Sequence, residues 1–202
     1  AKIRNFDGGS LIEKNRTFTE YLQNGVEVNY AVDGETRSAL VRLVDFEKVE
    51  NNEFAVVNQY TYIENGNNRR PDIILFVNGL PLVLMELKSP AKEEAGVEDA
   101  YNQLRNYMQD IPSMFIYNAI CVISDLSANR AGTITSGLDR FMDWKTKDGR
   151  YENTAYAQFD TFYEGMFQKK RLLDILKNFI LFSGTGTGRF KVLAGYHQYF
   201  AV

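Results

Sequence analysis

The segment 73–87 constrains the fold more than any other part of the sequence. Two short, strongly apolar runs, residues 73–77 and 82–87, lie on either side of the dipeptide Asn78-Gly79. Asn-Gly is a preferred pair for the tight turn between antiparallel strands, so the segment predicts a β-hairpin. Apolar residues in the two runs do not alternate with polar ones, which is typical of strands covered on both faces. The chain must therefore provide other elements on both sides of this hairpin.

Periodicity and turn signals predict those other elements. Helices are predicted at 10–23, with Ser10 as N-cap and Glu13 completing a capping box, at 97–110, and twice within 155–178, the second at 169–177. Strands are predicted at 26–32, 38–44, 54–63, 119–124, 132–135, 141–144, 178–183 and 190–192. This order predicts an α/β sandwich with a mixed central sheet flanked by helices.

Composition excludes several kinds of site. The 202 residues are 45% hydrophobic and 24% charged, which argues against disorder and suffices for one domain, or for a domain and the start of another. Cys121 and His197 are the only cysteine and histidine. An intrachain disulfide, a cysteine zinc cluster and a histidine-pair zinc site are therefore excluded. The lone cysteine is compatible with a reducing cytoplasm.

Charge and hydropathy limit the partners. The net charge of −3 counts against a protein whose whole surface grips DNA, because nonspecific affinity comes from Lys and Arg on phosphates. It is compatible with a cleavage module that basic partners deliver to DNA. No apolar run approaches the roughly 20 residues of a membrane helix, and no hydrophobic run follows the N-terminal residues, so neither a membrane partner nor a signal peptide is expected.

Three charged residues stand at the ends of the predicted hairpin. Asp72 opens the first strand, Glu86 lies near the end of the second, and Lys88 follows it by two residues. A carboxylate beside strongly apolar sequence costs several kcal/mol unless it is paired or binds a metal. Mg²⁺ prefers oxygen ligands and keeps several waters, so Asp72, Glu86 and the backbone carbonyl of Leu87 would suffice to hold it. Lys88 shares a strand face with Glu86 and would meet the same phosphate or the attacking water.

The spacing of Asp72 and Glu86 makes a geometric prediction. In a regular two-residue hairpin Val77 pairs with Leu80, so the sequence numbers of any two paired residues add up to 157. The numbers of Asp72 and Glu86 total 158, which would place their side chains on opposite faces. If both bind one metal, the hairpin must contain a longer loop or a β-bulge. We predict that irregularity.

A structural role is the alternative for these residues. Asp72 and Glu86 would then cap strand ends, and Lys88 would be their salt-bridge partner. The helix that follows supports the functional interpretation, because Gln103 and Tyr107 are four residues apart on one of its faces. Their amide and hydroxyl groups would support Lys88 or a phosphate. Alone, the two would be ordinary surface residues of a helix.

Four segments carry a resemblance to a known family. They are residues 68–90 (NRRPDIILFVNGLPLVLMELKSP), 51–59 (NNEFAVVNQ), 100–107 (AYNQLRNY) and 194–202 (AGYHQYFAV). Together they resemble the nuclease region of the restriction (R) subunit of type I restriction-modification enzymes, in the PD-(D/E)xK nuclease superfamily. The resemblance covers most of the chain, and its first block is highly specific. It implies that the α/β fold has a restriction-endonuclease-like core.

The resemblance implies roles for individual residues. It implies that Asp72, Glu86 and Lys88 are catalytic, that Gln103 and Tyr107 support them, and that double-stranded DNA is cut with Mg²⁺. It also implies an acidic residue on the first helix, for which Glu13 and Glu20 are equal candidates.

The resemblance also implies a larger assembly. Residues 1–180 would be the endonuclease domain, and residues 181–202 a connector to a helicase motor that this chain lacks. ATP would be used only by the full-length subunit, in which Gln198 would contact adenine. The partners would be DNA and the specificity and methylation subunits. Two alternatives remain open: an inactive nuclease-fold scaffold that docks the motor or partner subunits, and a related nuclease of recombination or repair.

Two further motifs have simpler explanations. The glycine-rich stretch 183–188 looks like a phosphate loop but lacks the Gly-Lys-Ser/Thr ending, so it is expected to be a turn between strands. The basic residues Lys169, Lys170 and Arg171 open a predicted helix and are expected to form a solvated face.

Overall fold

The protein is α/β, with a five-stranded mixed sheet at its centre. The computed structural model describes residues 2–6, 9–89, 96–125, 127–150 and 158–202. The helices are α1 (Leu11–Asn24), α2 (Val97–Asp110), α3 (Pro112–Phe115), α4 (Gln158–Met166), α5 (Lys169–Asn178) and α6 (Tyr196–Tyr199). The strands are β1 (Val26–Val32), β2 (Glu35–Val41), β3 (Phe54–Asn58), β4 (Tyr62–Glu64), β5 (Asn67–Arg69), β6 (Ile73–Val77), β7 (Leu80–Leu87), β8 (Ile120–Ser124), β9 (Asn129–Gly132), β10 (Ile180–Ser183) and β11 (Phe190–Leu193).

The predicted hairpin forms the middle of the central sheet. Its strand order is β3-β6-β7-β8-β9, with β7 and β8 parallel and the other neighbours antiparallel. Asn78 and Gly79 have φ of 51° and 76°, the left-handed values that a two-residue hairpin turn requires. Five consecutive residues of β7, from Leu82 to Glu86, are buried. The prediction of a hairpin covered on both faces is confirmed.

Two hydrophobic clusters cover the two faces of the sheet. On one face α1, α4 and α5 contribute Phe18, Phe162 and Leu172 to a cluster with Val83 and Met85. On the other face α2 and α3 contribute residues such as Leu104 and Phe115 to a cluster with Ile74 and Leu84. Burial of such side chains stabilises the fold by roughly 2 kcal/mol each. The second face, which lies under α2, is the one that carries the candidate site.

A buried polar cluster ties the ends of the chain to the sheet. The Nδ2 group of Asn15, in α1, donates to the carbonyl oxygen of Asn118 at 2.8 Å. The Nζ group of Lys191, in β11, donates to Asn15 Oδ1 at 3.0 Å and to the same Asn118 carbonyl at 2.8 Å. Burial lowers the pKa of Lys191 to about 7. The residues of β11 are therefore packed into the same core as α1.

Four predicted strands differ from the observed ones. The strand predicted at 38–44 is Glu35–Val41, because Asp33 and Gly34 form a tight turn from which pairing begins at once. The strand predicted at 54–63 ends at Asn58, and Tyr62–Glu64 belongs to a separate hairpin. In place of the strand predicted at 132–135, the structure has β9, which ends at Gly132. In place of the strand predicted at 141–144, it has a single bridge between Ala131 and Met142.

The predicted helices are confirmed where the structure describes them. The Glu13 carboxylate accepts the backbone N–H of Ser10 at 3.1 Å, as a capping box requires. Residues 155–157 of the predicted helical region lie outside the described residues. Within the described residues, no helix has both the length and the apolar character needed to cross a membrane.

Candidate active site

A β-bulge brings Asp72 and Glu86 to the same face of the sheet. Next to the turn Val77 pairs with Leu80, but beyond the irregularity Leu75 pairs with Val83. Leu82 is the extra residue in β7. Beyond it, the sequence numbers of any two paired residues add up to 158. Continuing this register places Asp72 opposite Glu86, under α2. The predicted irregularity is confirmed, and it is a bulge rather than a longer loop.

Glu86 is the most buried charged side chain of the site. Its side chain is 1% exposed, and Oε1 accepts a hydrogen bond from Lys88 Nζ at 3.1 Å. Oε2 is buried and accepts no hydrogen bond from any residue that the structure describes. Burial, and next the negative charge of Asp72, raise the pKa of Glu86 to about 7, against the opposing effect of Lys88. This carboxylate therefore has an unused acceptor atom, and burial disfavours its charge.

The Asp72 carboxylate is held by two donors. Its Oδ2 accepts the backbone N–H of Leu87 at 2.9 Å, and its Oδ1 accepts Nε2 of Gln59 at 2.7 Å. The first contact brings the backbone of Leu87 to the carboxylate. The second was not predicted from the sequence, although Gln59 lies in the segment 51–59 that carries the resemblance. Its only local signal is a polar amide directly after an apolar strand.

Lys88 begins a series of hydrogen bonds that runs into α2. Its Nζ donates to Oε1 of Gln103 at 2.5 Å, and Nε2 of Gln103 donates to the hydroxyl of Tyr107 at 2.5 Å. The hydroxyl group of Tyr107 has a raised pKa, chiefly through burial. Gln103 and Tyr107 thus lie beside Lys88, and together they orient its ammonium group.

Other residues considered from the sequence make contacts of their own. Glu13 caps α1, and Glu20 pairs with Arg16 at 2.5 Å. Oε1 of Gln198 accepts the backbone N–H of Gly195 at 2.9 Å.

Lys169 and Lys170 are exposed, as expected of a solvated face, and Arg171 is half-buried. Lys169 lies over the ring of Phe54, 5.1 Å from its centroid, and Arg171 lies 5.2 Å from that of Phe200. The glycine-rich stretch 183–188 lies between β10 and β11, as a connecting turn.

The donor set suits a hard divalent cation. Among the described residues, no group of three or more His, Cys, Asp or Glu side chains is placed to hold a metal ion. Mg²⁺ does not need one, since one or two carboxylates with several waters are its usual protein ligands. The free Oε2 of Glu86 and the Asp72 carboxylate are hard oxygen donors on one face, and the backbone of Leu87 adjoins them through its N–H. These residues fit such an ion.

Known proteins resemble the chain over nearly its whole length. Residues 1–140 match the family described as "Type I restriction enzyme R protein N terminus". The type I restriction enzyme HindI endonuclease subunit of Haemophilus influenzae is 41% identical over an alignment of 202 residues, which covers 97% of this chain and 19% of that protein when gaps are left out. The putative type I restriction enzyme MjaIXP endonuclease subunit of Methanocaldococcus jannaschii is 33% identical over an alignment of 220 residues, which covers 99% of this chain and 20% of that protein.

The match in the Escherichia coli EcoprrI endonuclease subunit is shorter. It is 30% identical over an alignment of 156 residues, which covers 73% of this chain and 47% of that sequence. The chain spans about a fifth of the first two relatives. With 140 of its 202 residues matched, and two relatives above 30% identity, the chain belongs to the family of type I restriction enzyme R proteins, at their N-terminal region.

Proposed function

We propose that this chain is the Mg²⁺-dependent endonuclease module of a type I restriction subunit and hydrolyses phosphodiester bonds of double-stranded DNA. One observation carries the proposal. The buried Glu86 carboxylate, with an unpartnered oxygen, lies on the same sheet face as Asp72 and beside Lys88. Placing the buried Glu86 carboxylate beside the half-buried Asp72 carboxylate is unfavourable, and Lys88 supplies one positive charge for the two. A bound divalent cation therefore explains the arrangement better than a purely structural role.

Asp72, Glu86 and the backbone carbonyl of Leu87 are the proposed ligands. A bound Mg²⁺ supplies charge neutralisation at the phosphate and lowers the pKa of a coordinated water. Lys88 holds a phosphate oxygen or the attacking water, since its ammonium group stands next to Glu86. Gln103 fixes the direction of Lys88, and Tyr107 fixes Gln103.

The larger assembly belongs to the same proposal. The relatives are named as endonuclease subunits of type I restriction enzymes, and this chain spans about a fifth of the first two. We place ATP use, the helicase motor and the choice of DNA sequence outside these residues, in the rest of the subunit and in the specificity and methylation subunits. Residues 181–202 would connect the nuclease module to the motor. The setting would be the cytoplasm.

Metal binding tests the proposal directly. Mn²⁺ or Mg²⁺ is titrated by calorimetry into the wild-type chain, into Glu86→Ala and into Glu50→Ala, which removes an exposed carboxylate. The wild type and Glu50→Ala are expected to bind the ion, and Glu86→Ala to lose binding. Circular dichroism verifies that each variant is folded.

Plasmid nicking by the same three proteins completes the test. Binding and nicking that both disappear in Glu86→Ala would support the nuclease. Binding without nicking would indicate a metal site that needs the rest of the assembly. A folded wild-type chain that binds no metal would contradict the proposal and favour a scaffold.

Tyr107→Phe is expected to slow cleavage about tenfold without changing the affinity for Mn²⁺. The substitution removes the acceptor of the Gln103 amide, so Lys88 loses its fixed direction while both carboxylates stay in place. Tyr101→Phe is the matched control, because Tyr101 lies on the same helix and its hydroxyl donates to the backbone of Ser136. Equal effects of the two substitutions on nicking would contradict the role of Tyr107.

A further inference from the structure

We infer that Gln59 is a positioning residue that sets the orientation of the Asp72 carboxylate for metal binding, an inference that rests on the proposed function. Gln59 directly follows β3, on the side of Asp72 away from Glu86. Its backbone N–H donates to the Asp72 carbonyl at 2.9 Å, and its side-chain Nε2 donates to Asp72 Oδ1 at 2.7 Å. The backbone and the side chain of Gln59 therefore both donate hydrogen bonds to Asp72.

The backbone of Gln59 is strained in a way that turn chemistry does not explain. Within the described ranges, four residues other than glycine have a positive φ: Asp33, Gln59, Asn65 and Asn78. The other three are Asp or Asn residues that precede a glycine in a tight hairpin turn, where such values are expected. Gln59, at 52°, precedes Tyr60 and lies in no hairpin turn. Strain of this kind collects at functional sites, where the surrounding structure maintains it.

The two donors to Asp72 act as a pair. Gln59 binds Oδ1 and the Leu87 N–H binds Oδ2, so the plane of the carboxylate cannot rotate freely. Each carboxylate oxygen has two acceptor positions, so both atoms keep one for a cation. Both donors are neutral, so they leave the negative charge of Asp72 in place. A Lys or Arg donor would cancel it. The arrangement orients a metal ligand without competing with the metal.

Two substitutions separate this role from a contribution to folding. Gln59→Met keeps the length of the side chain and the strained φ but removes the donor. Gln59→Gly removes the donor and also relieves the strain. Asp33→Gly is the control, since it relieves a similar φ of 53° in the β1–β2 hairpin, outside the central sheet. For each protein the melting temperature without metal and the calorimetric Kd for Mn²⁺ are measured.

Both Gln59 variants are expected to bind Mn²⁺ about tenfold more weakly than the wild type, as is typical when a hydrogen bond to a metal ligand is lost. The melting temperature of Gln59→Gly should equal or exceed that of the wild type, and Asp33→Gly should keep the wild-type Kd. An unchanged Kd in both Gln59 variants, with binding abolished in Glu86→Ala, would overturn the role of Gln59 alone. Weakening confined to Gln59→Met, in step with a lower melting temperature, would do the same. A wild-type chain that binds no Mn²⁺ would overturn the proposed function, and this inference with it.

Discussion

Lys88→Met is expected to reduce DNA cleavage about a thousandfold while metal binding persists. Among the described residues, Lys88 is the one cation bonded to Glu86, and its ammonium group is directed by Gln103. Methionine retains much of the side chain's bulk but can neither stabilise a charged phosphate nor transfer a proton. Loss of a group with these roles lowers rates by roughly 10² to 10⁴. Cleavage of a supercoiled plasmid measures the effect, in this chain or in a longer protein that contains it.

The pH of the binding control has to be chosen with care. Lys88 lowers the pKa of Glu86, so its removal raises that pKa further above about 7. Because metal and proton compete for the same carboxylate, the metal affinity of Lys88→Met is measured at pH 8.5, where protonation of Glu86 competes less. Lys145→Met, which removes an exposed cation, is the matched control for charge. Cleavage by Lys88→Met at a rate close to that of the control would refute a catalytic role for Lys88.

Glu86→Gln is expected to stabilise the metal-free protein at pH 8 while removing its function. The pKa of the Glu86 carboxyl is about 7 in the folded protein and 4.5 as the reference value. The folded state therefore holds a proton that the unfolded state releases between these values, and the free energy of unfolding falls as pH rises through this window. Above pH 7 Glu86 is ionised in both states, and the loss of unfolding free energy is complete. Glutamine keeps the shape of the side chain and does not ionise.

Urea denaturation at pH 5 and pH 8, with a chelator present, measures the effect. The free energy of unfolding of Glu86→Gln minus that of the wild type should increase by about 2 kcal/mol between the two pH values. Glu50→Gln, at an exposed position, should show no comparable change. Mn²⁺ should stabilise the wild type and leave Glu86→Gln unaffected. A pH-independent difference would mean that the environment of Glu86 does not disfavour its charge.

The sequence by itself determined the centre of the molecule. The apolar runs around Asn78-Gly79 predicted the doubly covered hairpin. Residue parity, together with a metal shared by Asp72 and Glu86, required an irregularity between them. The four-residue spacing of Gln103 and Tyr107 placed them on a common face of α2. These predictions succeed because they depend on turn chemistry and on side-chain periods of 2 and 3.6 residues, which are local properties of the chain.

Only the tertiary structure decided the contacts between distant strands. The position of the bulge at Leu82, the end of β3 at Gln59 and the bonds of Gln59 to Asp72 all depend on how β3, β6 and β7 pair. The burial of Lys191 between Asn15 and Asn118 joins residues more than 70 positions apart. The raised pKa of Glu86 likewise comes from burial under α2 and from the charge of Asp72. Local patterns assign a residue to a strand and a face, but long-range packing selects its partners and, through desolvation, its charge state.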